Sequence, residues 1–356
     1  MTGNQVWRGK RVLLTGHTGF KGTWLTRMLI RLGAEVHGFA LDPEPNSMFT
    51  RSTFAEHLAS DVRADVADEA AVLDAVTRAQ PEVVIHLAAQ PLVREGYRSP
   101  AETMRTNILG TVNVLESVRA TPSVRALLVI TTDKVYRNEE RLRGYREDDP
   151  LGGHDPYSAS KAAADIVTDS YRLSFARDGL SVAAARAGNV LGGGDNASDR
   201  LVPDLIESFA DGRPAGIRNP DAVRPWQHVL DPLTGYVELT QLLLAGGGQG
   251  SWNFGPPEED HATVAAVADA LVRHWGSGAS WIQQQGENPH ETGLLTLDAS
   301  KARDQLGWRP MLNLHDALSW TVDWWREVNG GSDACDVTDR QIEQHVRLAK
   351  TRRLGG

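Results

Sequence analysis

Tyr157 and Lys161 stand four positions apart in Tyr157-Ser158-Ala159-Ser160-Lys161, a spacing that puts both on one face of a helix. A phenol titrates near 10 in water, and a neighbouring ammonium favours its phenolate. The pair therefore has the chemistry of a general base for oxidising an alcohol. Tyr–Lys pairs at this spacing also arise by accident on amphipathic helices. Three features count against accident here: the pair follows an apolar strand-like run, Asp155-Pro156 is a helix start, and only 6 of the 37 basic residues are lysine.

A second group closes the run Ala126 to Ile130. Thr131-Thr132-Asp133-Lys134 sets a hydroxyl, a carboxyl and an amine side by side, candidates for hydrogen-bond donor, acid and base. The plainer reading is a strand end finished with polar residues. Consecutive residues on a regular strand face opposite ways, so Asp133 and Lys134 can serve one substrate only if the chain has left strand geometry there.

The third group is Thr15-Gly16-His17-Thr18-Gly19-Phe20-Lys21-Gly22, with glycine at every third position between a strand-like run and a helical one. Glycine permits the tight turn and the close approach of backbone N–H groups to a pyrophosphate, which the helix N-terminus also favours. Gly16, Thr18, Gly19, Phe20, Lys21 and Gly22 are thus expected at a dinucleotide. Asp42 follows Gly22 by 20 residues, where an acid can bond the ribose hydroxyls and repel a 2′-phosphate, favouring NAD over NADP. An aspartate beside Pro43 is almost as well explained as loop surface. Asp65-Val66 is placed to meet the adenine, and Ala88-Ala89-Gln90 to run along the cofactor.

These groups need a sheet to bring them together. The runs 11–15, 35–40, 83–87 and 126–130, with a weaker one at 181–185, are apolar on both faces and separated by helix-length segments. That is the pattern of a parallel sheet covered on both sides. The expected fold class is α/β: a doubly wound Rossmann sheet with a smaller C-terminal substrate-binding domain. Residues 1–190 are expected to form the NAD-binding part, with a return segment near 228–254, and residues 191–356 mainly the substrate part. Helices are expected near 262–275 and 314–325. The single cysteine, Cys335, excludes an internal disulfide and a cysteine-based metal site, and no metal is expected. A formal net charge of −9 argues against a nucleic-acid or anionic-membrane surface. No apolar stretch reaches the roughly 18 residues of a membrane helix, and the start, MTGNQVWRGK, has no signal-peptide pattern. The expectation is a cytoplasmic protein.

With TGHTGFKG and YSASK the sequence resembles the extended short-chain dehydrogenase/reductase family. Within it the likeness is to the branch that dehydrates CDP-hexoses. The narrower likeness rests on Thr132-Asp133-Lys134, on Ala88 to Arg94, and on Gly152-Gly153-His154-Asp155-Pro156-Tyr157. It continues through Arg186 to Val190, Arg218-Asn219-Pro220, Arg224 to Val229, Trp252 to Pro256 and Leu306 to Pro310. It spans essentially the whole chain and is weakest over the last twenty or so residues. Two positions depart from it: Asn196 replaces the usual Trp, and Gly96 the usual Ser, both expected near the sugar nucleotide and both bearing on which substrate is taken.

The resemblance implies an internal redox cycle on a nucleoside-diphospho-hexose, giving a 4-keto-6-deoxy sugar with bound NAD regenerated. Tyr157 with Lys161 would deprotonate the C-4 hydroxyl, beside Thr132. Asp133 would protonate the departing C-6 oxygen. Lys134 would be either the C-5 base, which requires a lowered pKa, or a cation beside the enolate. Arg200 and Arg224 would hold the diphosphate, Asn189 the sugar or phosphate, and Leu201, Pro203, Arg218 and His290 would complete the substrate site. A homodimer or homotetramer is implied, packed through helices near 100–120 and 157–177 with Tyr171 and Phe175 exposed. An epimerase or ketoreductase of the same fold is the alternative, and a non-catalytic dinucleotide-binding protein a more distant one.

Overall fold

The computed structural model describes residues 4–175, 179–284 and 294–355. After a single turn, α1 (Asn4–Trp7), the chain alternates strand and helix: β1 (Arg11–Thr15), α2 (Phe20–Arg31), β2 (Glu35–Ala40), β3 (Ser60–Arg63), α3 (Glu69–Ala79) and β4 (Val83–His86). Two short helices, α4 (Val93–Arg98) and α5 (Pro100–Met104), lead through a π turn at Arg105–Leu109 into α6 (Gly110–Ala120). There follow β5 (Ala126–Ile130), α7 (Pro156–Ser174), β6 (Ser181–Ala187), β7 (Asn189–Leu191), α8 (Leu201–Ala210), β8 (Ala215–Ile217) and β9 (Val223–His228). The rest is α9 (Leu230–Leu244), β10 (Gly250–Phe254), β11 (His261–Thr263), α10 (Val264–Trp275), β12 (Trp281–Gln283), α11 (Leu314–Asn329) and α12 (Ala334–Gly355).

Seven strands form one parallel sheet in the order β10-β6-β5-β4-β1-β2-β3. Alternate residues supply its two faces. Val12 and Leu14 face a core with Trp24, Leu25, Leu233 and Tyr236, while Leu13 faces the other with Val72, Val76, Val114 and Val118. The same division separates Val83 and Ile85 from Val84, and Leu128 from Leu127 and Val129. This is a doubly wound Rossmann sheet, and both faces are apolar because helices cover both. Strand order reverses between β1 and β4, so a crevice opens at the carboxyl ends of those strands.

The segment 213–232, which breaks the alternation in sequence, holds β8 and β9. β9 joins β7 and β11 in a small three-stranded sheet, and β8 pairs with β12. The C-terminal helix α12 is tied back to the cofactor-side helix α2: Arg27 makes a bidentate pair with Asp339 at 2.6 and 2.7 Å. Among the described residues no helix is long and apolar enough to cross a membrane, and no group of three or more His, Cys, Asp or Glu side chains is arranged to hold a metal.

Candidate active site

The glycine turn sits between β1 and α2 at the crevice. Gly16 has φ +75°, and a Cβ there would lie 2.7 Å from the Ala88 backbone nitrogen. A Cβ on Gly22 would overlap the Gly16 carbonyl. The turn is thus closed to side chains at both positions, which brings the start of α2 down onto β4 and leaves the N-terminal N–H groups of a 12-residue helix facing the crevice. Asp42 is exposed just beyond β2. Asp65 accepts from Ala67 N–H at 2.9 Å and pairs with Arg105 at 2.8 Å, and Val66 packs on Gly110. The Gln90 amide is committed to Thr103 and to the Leu92 N–H, and its own N–H to Asn107. The Gln90 carbonyl also accepts from Asn107, and the Ala88 N–H is bonded to Thr15, so this segment is fixed in place by its own hydrogen bonds. The turn and crevice fit a dinucleotide.

The chain does leave strand geometry after β5. A 3₁₀ turn over Asp133–Val135 follows Thr132, whose hydroxyl donates to Asp133 Oδ1 at 2.9 Å. Lys134 Nζ lies 3.4 Å from the same oxygen. Asp133 is only 1% exposed, tucked behind Thr132 and Lys134 with its other oxygen toward Gly188. On α7, Asp155 caps the helix by accepting from Ser158 N–H at 2.9 Å, with Pro156 as its first residue, and this sets the Tyr157 ring.

The electrostatics of the Tyr–Lys pair differ from the simple expectation. Burial pushes Tyr157 up to about 12, with Asp133 adding to the rise and the Thr132 hydroxyl and Arg200 opposing it. Burial also lowers Lys161 to about 8, against the pull of Asp165. The Lys161 ammonium donates to the Ile130 carbonyl at 2.7 Å. In the protein alone burial dominates at both, and both groups move toward their neutral forms.

A cavity of about 400 Å³ collects most of the remaining candidates. Thr132, Lys134 and Tyr157 line it, as do Asn189, Arg200, Leu201, Pro203, Arg218 and Arg224. Lys21 lines it too, so this turn residue reaches the chemical end of the crevice; burial and Arg200 lower it to about 8. Arg200 pairs with Asp195 at 3.0 Å. His290 lies outside the described residues.

The sequence model described as GDP-mannose 4,6 dehydratase matches residues 13–321. The chain belongs to this family. It is accordingly a member of the extended short-chain dehydrogenases/reductases. A CDP-glucose 4,6-dehydratase of Salmonella typhimurium is 44% identical over 355 residues, covering 97% of this chain and 99% of that protein. Among solved structures, UDP-glucose 4-epimerase of Thermus thermophilus, in complex with NAD, is 26% identical with a TM-score of 0.77, covering 89% of this chain and 99% of its own. DesIV of Streptomyces venezuelae, a dTDP-glucose 4,6-dehydratase with NAD and TYD bound, shares the fold at 24% identity and a TM-score of 0.76, over 91% and 99%.

The two departures from the dehydratase pattern fall in different places. Gly96 is on α4 with its face against Tyr157: a Cβ would stand 3.1 Å from the Tyr157 nitrogen, so the residue abuts the Tyr157 backbone and lies outside the cavity wall. Asn196 is exposed. Several residues of the site are given no role by the sequence, including Arg94, which closes the Ala88 to Arg94 motif. Arg94, Tyr97, Asp195, Asp199 and Asp204 line the cavity. Tyr236, fully buried under Tyr157 and Asp133, has a hydroxyl with no partner among the described residues.

Asp165 was the one with a readable signal, since it continues the four-residue series Tyr157, Lys161, Asp165 along α7. Its carboxylate, 1% exposed, takes a bidentate pair from Arg186 at 2.7 and 2.9 Å and the Thr131 hydroxyl at 2.9 Å. This pins α7 to the residue before Thr132 and to β6. Asp165→Ala is expected to destabilise the fold by about 3 kcal/mol, because it leaves the buried Arg186 guanidinium without its carboxylate. Thermal unfolding should show it, and an Asp165→Leu, Arg186→Met double variant should recover much of the loss.

Proposed function

We propose that the chain is an NAD-dependent CDP-glucose 4,6-dehydratase, converting CDP-D-glucose to CDP-4-dehydro-6-deoxy-D-glucose. The observation that carries this is the 44% identity across 97% of the chain to a CDP-glucose 4,6-dehydratase, on a protein whose Thr132, Lys134 and Tyr157 line one cavity. NAD, when bound, accepts hydride from C-4 and returns it to C-6. Gly16, Gly19 and Gly22 with the start of α2 would hold its pyrophosphate, and Asp42 its ribose.

Tyr157 takes the C-4 hydroxyl proton, with Thr132 beside the same oxygen and Lys161 fixed behind by Ile130. The ketone formed at C-4 acidifies the C-5 hydrogen. Lys134 faces that step, either as the base or as the cation beside the enolate. Asp133 supplies the proton to the leaving C-6 oxygen, and the immediate contact of its Oδ1 with Thr132 and Lys134 couples it to both neighbours. Arg200 and Arg224 hold the diphosphate. Incubation with CDP-glucose is the test: it should yield a 4-keto-6-deoxy product with no net consumption of NAD. A 4-epimer, or stoichiometric use of reduced cofactor, would turn the reading to the epimerase or ketoreductase alternative.

Assembly belongs to the same proposal. Leu109, Ile166, Leu173 and Phe175 are 54, 56, 66 and 48% exposed on the α5–α6 and α7 face. Tyr171, expected to be exposed with Phe175, instead packs inward and donates to Glu116 at 2.7 Å. The remaining apolar face supports a homodimer, or a tetramer built from it, in which these helices pack across a two-fold axis. Sedimentation at micromolar concentration should give at least the dimer mass, and a monomer would contradict it.

A further inference from the structure

CDP-, UDP- and dTDP-sugars, named among the relatives above, differ at the base. Cytosine presents an N4 amine donor and an N3 acceptor where uracil and thymine present an O4 acceptor and an N3–H donor. An ionised carboxylate set at the 4-position accepts only, so it takes a hydrogen bond from the N4 amine of cytosine and repels the O4 of uracil and thymine. Four carboxylates line the cavity among the described residues: Asp155, Asp195, Asp199 and Asp204. Three are committed. Asp155 caps α7, Asp195 pairs with Arg200 at 3.0 Å, and Asp199 pairs with Arg94 at 3.1 Å and stands 3.6 Å from Arg218 and 3.7 Å from Arg98.

Asp204 makes no ion pair among the described residues. It sits half-buried in the first turn of α8, its N–H bonded to the Arg200 carbonyl at 3.0 Å. It therefore stands one helical turn, about 5 Å, beyond Arg200. Arg200 in turn lies close enough to Tyr157 to perturb it. With the sugar at Tyr157 and the diphosphate at Arg200, the base falls against the wall formed by α8 and β8, where Asp204 faces the cavity. We infer that the Asp204 carboxylate accepts from the N4 amine of cytosine and sets the preference for CDP- over UDP- and dTDP-hexoses. This rests on the dehydratase reading for the direction in which the substrate lies.

Burial, then Asp199 and Glu207, push Asp204 up to about 6, with a backbone hydrogen bond at Asp199 and the charge of Arg94 opposing. Arg98 and Arg218 are turned to Asp199. Above that value Asp204 is ionised and accepts only; below it the acid donates and accepts like an amide and pairs with either base, so the preference for CDP should fall as pH drops through about 6.

Titration calorimetry of CDP and UDP into the NAD-loaded protein, at pH values on either side of about 6, tests this. The wild type is expected to prefer CDP at the higher pH and to lose much of that preference at the lower. Asp204→Asn offers an amide that pairs equally with either base, so CDP binding should persist, UDP binding should improve, and the preference should fall by about 10- to 100-fold and no longer depend on pH. Asp204→Leu should lose the preference through weaker CDP binding. Variants that keep both the wild-type preference and its pH dependence overturn the inference, as does a wild type that binds CDP and UDP alike. The two readings separate cleanly. A protein that selects CDP through Asp204 but forms no 4-keto product sinks the dehydratase reading alone, and one that forms the product without base preference sinks this inference alone.

Discussion

Tyr157→Phe should lower turnover of CDP-glucose by about a thousandfold while NAD remains bound, because it removes the proton acceptor and keeps the ring. The wild-type pH profile carries the same assignment. With Tyr157 pushed up to about 12 and Lys161 lowered to about 8, the active form holds a phenolate beside an ammonium and is a minor species at neutral pH. Its population grows about tenfold per pH unit below the Lys161 value and levels off above it. Turnover should follow that curve. The Phe variant's residual rate should be flat through the same range. Substantial oxidation at C-4 by the variant would remove Tyr157 from its role.

Asp133→Asn should cut formation of the 4-keto-6-deoxy product by about a hundredfold yet leave the first oxidation running. Reduced nicotinamide absorbance should then build up on the protein together with an undehydrated 4-keto nucleotide sugar. The geometry makes this a demanding test, since Asp133 is 1% exposed and shares its Oδ1 with Thr132 and Lys134. Dehydration at the wild-type rate would show that another acid serves the C-6 oxygen. An inert variant with no reduced nicotinamide would place Asp133 in binding or in the oxidation itself.

The strands were legible because a parallel sheet buried on both faces writes its residues as unbroken apolar runs; 11–15, 35–40 and 126–130 match β1, β2 and β5 to the residue. The glycine turn was legible because its constraint is local. The long helix read near 100–120 is divided by a π turn at Arg105–Leu109, for which no residue type gives notice. Cavity residues were harder for a different reason. Asp204, Asp199 and Arg94 meet through the third dimension, with no fixed spacing to betray them. Arg186 stood at the head of a motif, but its partner could not be read until β6 placed it beside Asp165. Gly96, suspected of touching substrate, turned out to touch the backbone of Tyr157, a contact that only the packing of α4 on α7 reveals.

The strand at one edge of the large sheet, β10, comes from residues 250–254, after the chain has left that sheet to form β7, β8 and β9. Gly250 to Phe254 run in register along Ala183 to Ala187, so the edge of β6 is covered by a strand that returns only after β9 and α9. A protein cut between the two would present five consecutive unpaired positions on β6, an open template for strand addition by other molecules. Recombination between relatives meets the same constraint. A transplanted substrate-binding half arrives with its own β10, and it will be tolerated only where that strand still fits the alanine-rich face of the recipient's β6.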